Sequence, residues 1–322
     1  MTDIITQPKK NIILDATMLT SIMTCARFTD LRFNHSFQSI DGKSNSLECG
    51  SIVHKVLETY YECLINHHKR ESAIQHALVA GELYIKECQY CTDFIPSETE
   101  IKPRCNHLIN EYPGVKNTPP DSDSKTYKTG WKYVLETCEQ YFEFYKSDFW
   151  TPLETEVVKR EVLFEDDEIR IMWKAKLDLT VDTNQGIFPV DHKTMKQRRD
   201  TLSLNNQFIG QCILMKTRNV IINKIGFQTS LEPKDKFIRS VVSYSSDRIL
   251  EWQSEILPYW AYQLVNFNEV NHYPPNFTHC ESKYGNCMFK SVCESDRGMR
   301  EEVLKNEFIV GPIWDIDNLE KE

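Results

Sequence analysis

From Ile169 the chain alternates with a period of two. Ile169, Ile171, Trp173, Ala175, Leu177 and Leu179 fall on one side, and Met172, Lys174, Lys176, Asp178 and Thr180 on the other. Apolar residues at every second position line one face of a strand, not of a helix. The turn sequence "DTNQG" follows, and "IFPVDHK" returns as a second strand, so this region is committed to a hairpin. In that hairpin Asp178 lies on the polar face of the first strand and Asp191 at the end of the second. Lys193 comes two residues after Asp191, on the same side of its strand. Two carboxylates that approach each other repel unless a cation joins them. A divalent metal does so, and oxygen ligands suit Mg²⁺ or Mn²⁺. Lys193 beside such a metal would hold a water or stabilise a phosphoryl oxygen as negative charge develops. A solvated hairpin carrying an Asp–Lys surface pair is the competing reading, and the D-x-K pattern alone does not separate the two.

Elsewhere the period is helical. "CGSIVHKVLETYYECLI" repeats Ile52, Val56, Tyr60 and Leu64 at helical spacing, with Gly50-Ser51 at its start. Residues 72–90 continue as helix, residues 110–125 are a Pro- and Asp-rich loop, and "WKYVLETCEQYFEFYK" is a further helix. After the hairpin the pattern predicts a helix at 202–217, strands at 219–230 and 236–244, and a long helix over 246–268 starting at Ser245-Ser246. This order reads as an α/β protein with a mixed sheet flanked by helices. We divide it into an N-terminal segment, 1–68, a helical insertion, 69–150, a core, 151–268, and a C-terminal cysteine-bearing segment and tail, 269–322.

Hydrophobic residues make up 40% and charged residues 26% of the 322, the balance of a globular protein in water. No apolar run approaches the roughly 18 residues of a membrane helix, and the first residues lack a secretory pattern. The expected compartment is the cytoplasm, with no membrane partner. The net charge of −9 weighs against a broadly basic nucleic-acid surface, although a bound metal offsets it and a basic patch can be local.

Beyond these patterns, three segments resemble the RecB-like branch of the PD-(D/E)xK nuclease superfamily. They are "GSIVHKVLE", "KLDLTV" followed by "GIFPVDHKT", and "NNQFIGQ". The resemblance spans roughly 50–215 and implies a restriction-endonuclease-like core. By position it implies a catalytic set of Asp178, Asp191, Lys193 and Gln207, the glutamine orienting Lys193 or the scissile strand. It implies metal ligation by His54, Asp178 and Asp191, with the backbone carbonyl of His192 as a further ligand. Four residues after the glutamine the family usually has tyrosine, where this chain has Gln211. Glu58, one turn from His54, faces either the same site or solvent. Lys196, Arg198 and Arg199, in the basic run "KTMKQRR", are candidate DNA phosphate contacts.

Eleven cysteines in a reducing compartment are free thiols or metal ligands. Cys280, Cys287 and Cys293 crowd into fourteen residues, a density that suits zinc or an iron–sulfur cluster. "SIMTCARFTDLRF" resembles the upstream cysteine segment of AddB-type and CRISPR-associated exonucleases. That resemblance implies a [4Fe–4S] cluster on Cys25, Cys280, Cys287 and Cys293, joining the two chain ends. Zinc on the same ligands and buried free thiols are the alternatives. Cys88 and Cys91, with Cys105 and His107, form a rival set. Cys49, Cys63, Cys138 and Cys212 read as core, and His35, His67, His68, His272 and His279 as surface or loop residues.

The function implied by the resemblance is a Mg²⁺- or Mn²⁺-dependent deoxyribonuclease. It would be an exonuclease on single-stranded DNA or duplex ends, in recombination, repair, or phage or CRISPR DNA processing, with a helicase or annealing protein as a candidate partner. A non-catalytic DNA-binding recombination partner and a structure-specific endonuclease are the alternatives.

Overall fold

Strand β1 (Lys10–Leu14) leads into α1 (Ala16–Thr24) and the single-turn α2 (Ala26–Thr29), and β2 (Phe37–Ser39) precedes α3 (Asn45–Ile65) and α4 (Arg70–Lys86). After α5 (Trp131–Phe144) come the long strands β3 (Thr151–Glu165), β4 (Ile169–Thr183) and β5 (Gly186–Met195). Then follow α6 (Asn206–Leu214), β6 (Asn219–Gly226), α7 (Pro233–Lys236) and β7 (Phe237–Ser243). The C-terminal part holds α8 (Ser246–Glu251), α9 (Leu257–Val270), the short pair β8 (Glu281–Ser282) and β9 (Gly285–Asn286), α10 (Lys290–Glu294), α11 (Arg300–Glu307) and β10 (Phe308–Val310). The structure is a computed structural model that describes residues 9–40, 45–86, 131–195, 204–228, 231–282, 285–312 and 314.

The main sheet is mixed, in the order β1-β4-β5-β6-β7, with β3 on the free side of β4. β3 runs antiparallel to β4 along nearly its whole length. The opposite side of β4 is shared. Ile169–Trp173 pair with β1 in parallel, and Leu179–Thr183 pair with β5 in the expected hairpin. Residues 174–178 lie between these two pairings. From Val190 onward β5 pairs in parallel with β6, so the sheet parts beside Asp178. The hairpin is therefore interior, not a sheet edge.

Each face of the sheet buries a separate core. Ile52, Val56 and Leu57 of α3, Ala77 of α4, and Val134 and Phe142 of α5 pack on Leu179, Val190 and Ile221. The segment expected as a helical insertion thus supplies two helices that share this core. On the other face Leu19 and Ile22 of α1, Phe208 and Cys212 of α6, and Ala261 of α9 pack on Ile171, Trp173 and Ile222. Trp173 and Leu179 share a side by alternation yet serve different cores. The polar side of β4 is not solvated either: Lys174 is fully buried, and it acts electrostatically on Asp15, the N-cap of α1.

Boundaries differ from the sequence reading where packing decides them. α3 starts at Asn45, ahead of Gly50. Gly50 sits inside the helix because a Cβ there would meet Oγ1 of Thr194 on β5 at 3.2 Å. Gly210 of α6 likewise admits the Trp173 ring, which a Cβ would overlap at 2.2 Å. The long helix expected over 246–268 is interrupted by a π-helical turn at Trp252–Ile256, and Pro258 follows in the first turn of α9, where a missing N–H is tolerated.

The two ends of the chain meet. β10 pairs antiparallel with β2, and Leu31 packs with Phe289, Val292 and Phe308. Among the described residues no helix is long and apolar enough to cross a membrane.

Candidate active site

The parting of β4 and β5 collects the expected residues. Asp178 lies just before the first β4–β5 pair and Asp191 just after it on the other strand. The backbone N–H of His192 donates to Asp178 Oδ2 at 2.7 Å. α3, pressed on β5 at Gly50, brings His54 Nδ1 within 3.7 Å of the same oxygen. Glu156 of β3 completes this side: His54, Glu156 and Asp178 each offer a ligand atom, all within 4.8 Å of one another. The sequence reading missed Glu156. Its backbone is left-handed, at φ +53°, which for a non-glycine residue costs on the order of 1–3 kcal/mol and marks positions where geometry is enforced. Glu156 follows Glu154 in a polar stretch of the strand, so no local pattern marked it.

On the α6 side, Lys193 Nζ lies 2.8 Å from Asp191 Oδ2. Gln207 bridges the pair, donating from Nε2 to Asp191 Oδ1 at 2.7 Å and accepting from Lys193 Nζ at 3.2 Å. Asn205 caps α6 by accepting from the Gln207 N–H at 2.8 Å, so the cap fixes where the glutamine begins. Gln211, one turn on, is fully buried with Nε2 3.5 Å from Asp191 Oδ1. Gln211 therefore faces Asp191.

The His192 side chain turns away from Lys193 to the α3 side, its ring 6.0 Å edge-on from that of His54. It stacks on Tyr61, with ring centroids 5.9 Å apart, and its Nδ1 meets Asn223 Nδ2 at 2.9 Å. Burial holds this imidazole well below the usual histidine range, with the charges of His54, Arg239 and Lys193 adding to the effect, so it is neutral. Behind it, Asn223 and Arg239 both donate to Tyr141 Oη, at 3.0 and 2.9 Å. Arg239 is held between the Tyr145 and Trp150 rings and paired with Asp148 at 2.7 Å. Glu58 bonds Lys55 at 3.0 Å.

The electrostatics are those of a pair of carboxyl groups that a cation could relieve. Burial raises the Asp178 carboxyl, with Asp191 raising it further against the opposing effects of His54, Lys193 and the His192 N–H. Glu156 is raised by burial and then by Asp178, although Lys176 Nζ lies 2.9 Å away. Two buried carboxyls that oppose each other's ionisation, beside an imidazole, are the donor set that a divalent ion relieves. Carboxylate oxygens suit Mg²⁺, and the added nitrogen suits Mn²⁺. Burial works against the Lys193 ammonium, but Asp191 and Asp178 outweigh it and raise its pKa. Lys193 is thus a permanent cation at neutral pH, not a base.

A second constellation lies where the chain ends meet. Cys25 sits in extended backbone between α1 and α2 and accepts from the Asn276 N–H at 3.3 Å. Cys280 lies beside the same residue, and Cys293 Sγ is 3.7 Å from Arg27 Nη1. Burial raises the Cys280 and Cys287 thiols, and in both the other cysteines of the set raise them further. The four sulfurs therefore form one electrostatic group, beside a hollow of about 410 Å³ lined by Cys280 and Cys293. Yet no three of them lie within 4.8 Å of one another. Lys196, Arg198 and Arg199, and the rival set of Cys88, Cys91, Cys105 and His107, lie outside the described residues.

Neither a family model nor a curated protein matches this chain. Among solved structures, one titled "Crystal structure of SSO0001" is similar at 14% identity, covering 43% of this chain and 69% of that one, with a TM-score of 0.26. The class is thus set by the architecture itself: an α/β protein with a mixed sheet flanked by helices.

Proposed function

We propose that this chain is a metal-dependent DNA exonuclease with a restriction-endonuclease-like core, of the RecB-like kind its sequence resembles. The observation that carries the reading is the meeting of Asp178, Glu156 and His54 within 4.8 Å, with the Asp191–Lys193–Gln207 set on the adjoining strand and helix. Asp178, Glu156 and His54 would hold Mg²⁺ or Mn²⁺, whereas Asp191, expected as a ligand, stands outside that group and is engaged by Lys193 and Gln207. The ion would supply charge neutralisation at the scissile phosphate and a more acidic water. The chain's own residues do the rest. Lys193 presents a fixed ammonium to the phosphoryl oxygen on which charge develops. Gln207 holds Lys193 and Asp191 in register. The His192 N–H fixes the Asp178 oxygen. Lys196, Arg198 and Arg199, which follow β5 directly in the chain, would meet the DNA backbone.

Cys25, Cys280, Cys287 and Cys293 would hold a [4Fe–4S] cluster. The mutual electrostatic influence of these thiols supports one shared centre, with zinc on the same ligands as the alternative.

The test uses end-labelled linear DNA, single- and double-stranded, beside circular DNA of each kind, with Mg²⁺ or Mn²⁺. The account expects metal-dependent shortening from the labelled ends and intact circles. Cleaved circles would make the enzyme an endonuclease. Tight binding without any degradation would make it a non-catalytic DNA-binding partner.

A further inference from the structure

We propose that Cys63, His68 and His76 form a zinc site at the tip of the α3–α4 hairpin, independent of the nuclease reading. The sequence pattern had assigned Cys63 to the core and His68 to a loop, and the backbone explains why they meet. α3 ends in a paired C-terminal cap. The His68 N–H donates to the Cys63 carbonyl at 2.9 Å and the His67 N–H to the Leu64 carbonyl at 3.0 Å, with His67 left-handed at φ +61°. This cap brings the side chains of its first and last residues together, commonly as an apolar contact. Here that pair is a thiol and an imidazole. α4 then packs back on α3 through Ala73 and Ala77 and returns His76 to the same point.

The result is compact. Cys63 Sγ lies 3.6 Å from His76 Nδ1, the His68 and His76 rings are 5.7 Å apart, and all three ligand atoms fall within 4.8 Å. A tetrahedral zinc with bonds of about 2.3 Å to sulfur and 2.0–2.1 Å to nitrogen sets the S···N edge at about 3.6 Å. One thiolate and two imidazoles are a donor set for a borderline ion such as Zn²⁺, not for Mg²⁺. Both histidines are exposed, so the fourth position is open to water. The carboxylate site is separate: Cys63 lies nine residues along α3 from His54, about 14 Å. A metal here would clamp the end of the helix that carries His54.

The test measures zinc bound per full-length chain after equilibration with excess Zn²⁺ and desalting, for wild type, Cys63→Ser, His68→Ala and His76→Ala. Each variant should carry one zinc fewer than wild type, whatever the other cysteines hold. Cobalt should give wild type a thiolate charge-transfer band that Cys63→Ser weakens. His68 is exposed, so His68→Ala keeps the fold and the test decisive even if another variant does not fold. Equal zinc in wild type and His68→Ala, with no zinc-dependent rise in wild-type melting temperature, would overturn the proposal.

Discussion

The His192 backbone N–H donates to Asp178 Oδ2 at 2.7 Å, across the point where β5 leaves β4. One hydrogen bond stands there in place of a continued ladder. The oxygen it fixes is the one nearest His54, so the backbone of one strand sets the aim of a carboxylate on the next. The His192 side chain points to the α3 side, where its ring lies 6.0 Å edge-on from that of His54 and stacks on Tyr61.

Lys193→Ala should retain Mn²⁺ binding and lose most of its rate. Removing one preorganised electrostatic group costs on the order of 10²–10³ in turnover. Single-turnover cleavage and calorimetric Mn²⁺ titration check this together. A variant that no longer binds Mn²⁺ would assign the lysine to building the site.

The contribution of Asp178 and Glu156 to metal-free stability should fall as pH rises through the carboxylate range. Asp178 and Glu156 are raised above their ordinary 3.8 and 4.5. Above those values the unfolded chain has released protons that the folded chain still holds, so the slope of stability with pH is negative until the folded groups also ionise. Glu156→Gln should therefore melt higher than wild type at pH 7 in EDTA, and lose that advantage with Mn²⁺ present. A variant less stable than wild type in EDTA would mean that Glu156 is held by its ion pair with Lys176 and not strained by Asp178.

Protein purified without oxygen should be brown and carry roughly four irons per chain, as four cysteine ligands to one cluster require. Cys25→Ser or Cys293→Ser should bleach it and destabilise the junction of the chain ends. Cys212→Ala should keep the colour, because Cys212 is buried in the core on the inner face of α6. One zinc and no iron in anaerobic protein would overturn the cluster while leaving the ligand set standing.

Much of the site was legible because it is local. Alternation along β4 and β5 put Asp178, Asp191 and Lys193 near one another, while His54 and Gln207 were named through the resemblance of "GSIVHKVLE" and "NNQFIGQ". The missed features depend on pairings that no short pattern encodes. Glu156 reaches the site only through the β3–β4 register and a left-handed kink. Lys174 looked solvent-facing because its strand alternates, but β4 is interior and its second face is covered. Cys63 and His76 belong to different helices, and only the turn between them brings them together.

The most direct measurement is Mn²⁺-dependent release of nucleotides from end-labelled linear single-stranded DNA by wild type and Asp191→Asn. The substitution keeps the shape of a side chain held by Gln207 and Lys193 and removes its charge. The account predicts that wild type degrades the strand from its ends and that Asp191→Asn, still folded by circular dichroism, falls to the metal-free background. Equal rates for the two proteins would contradict it.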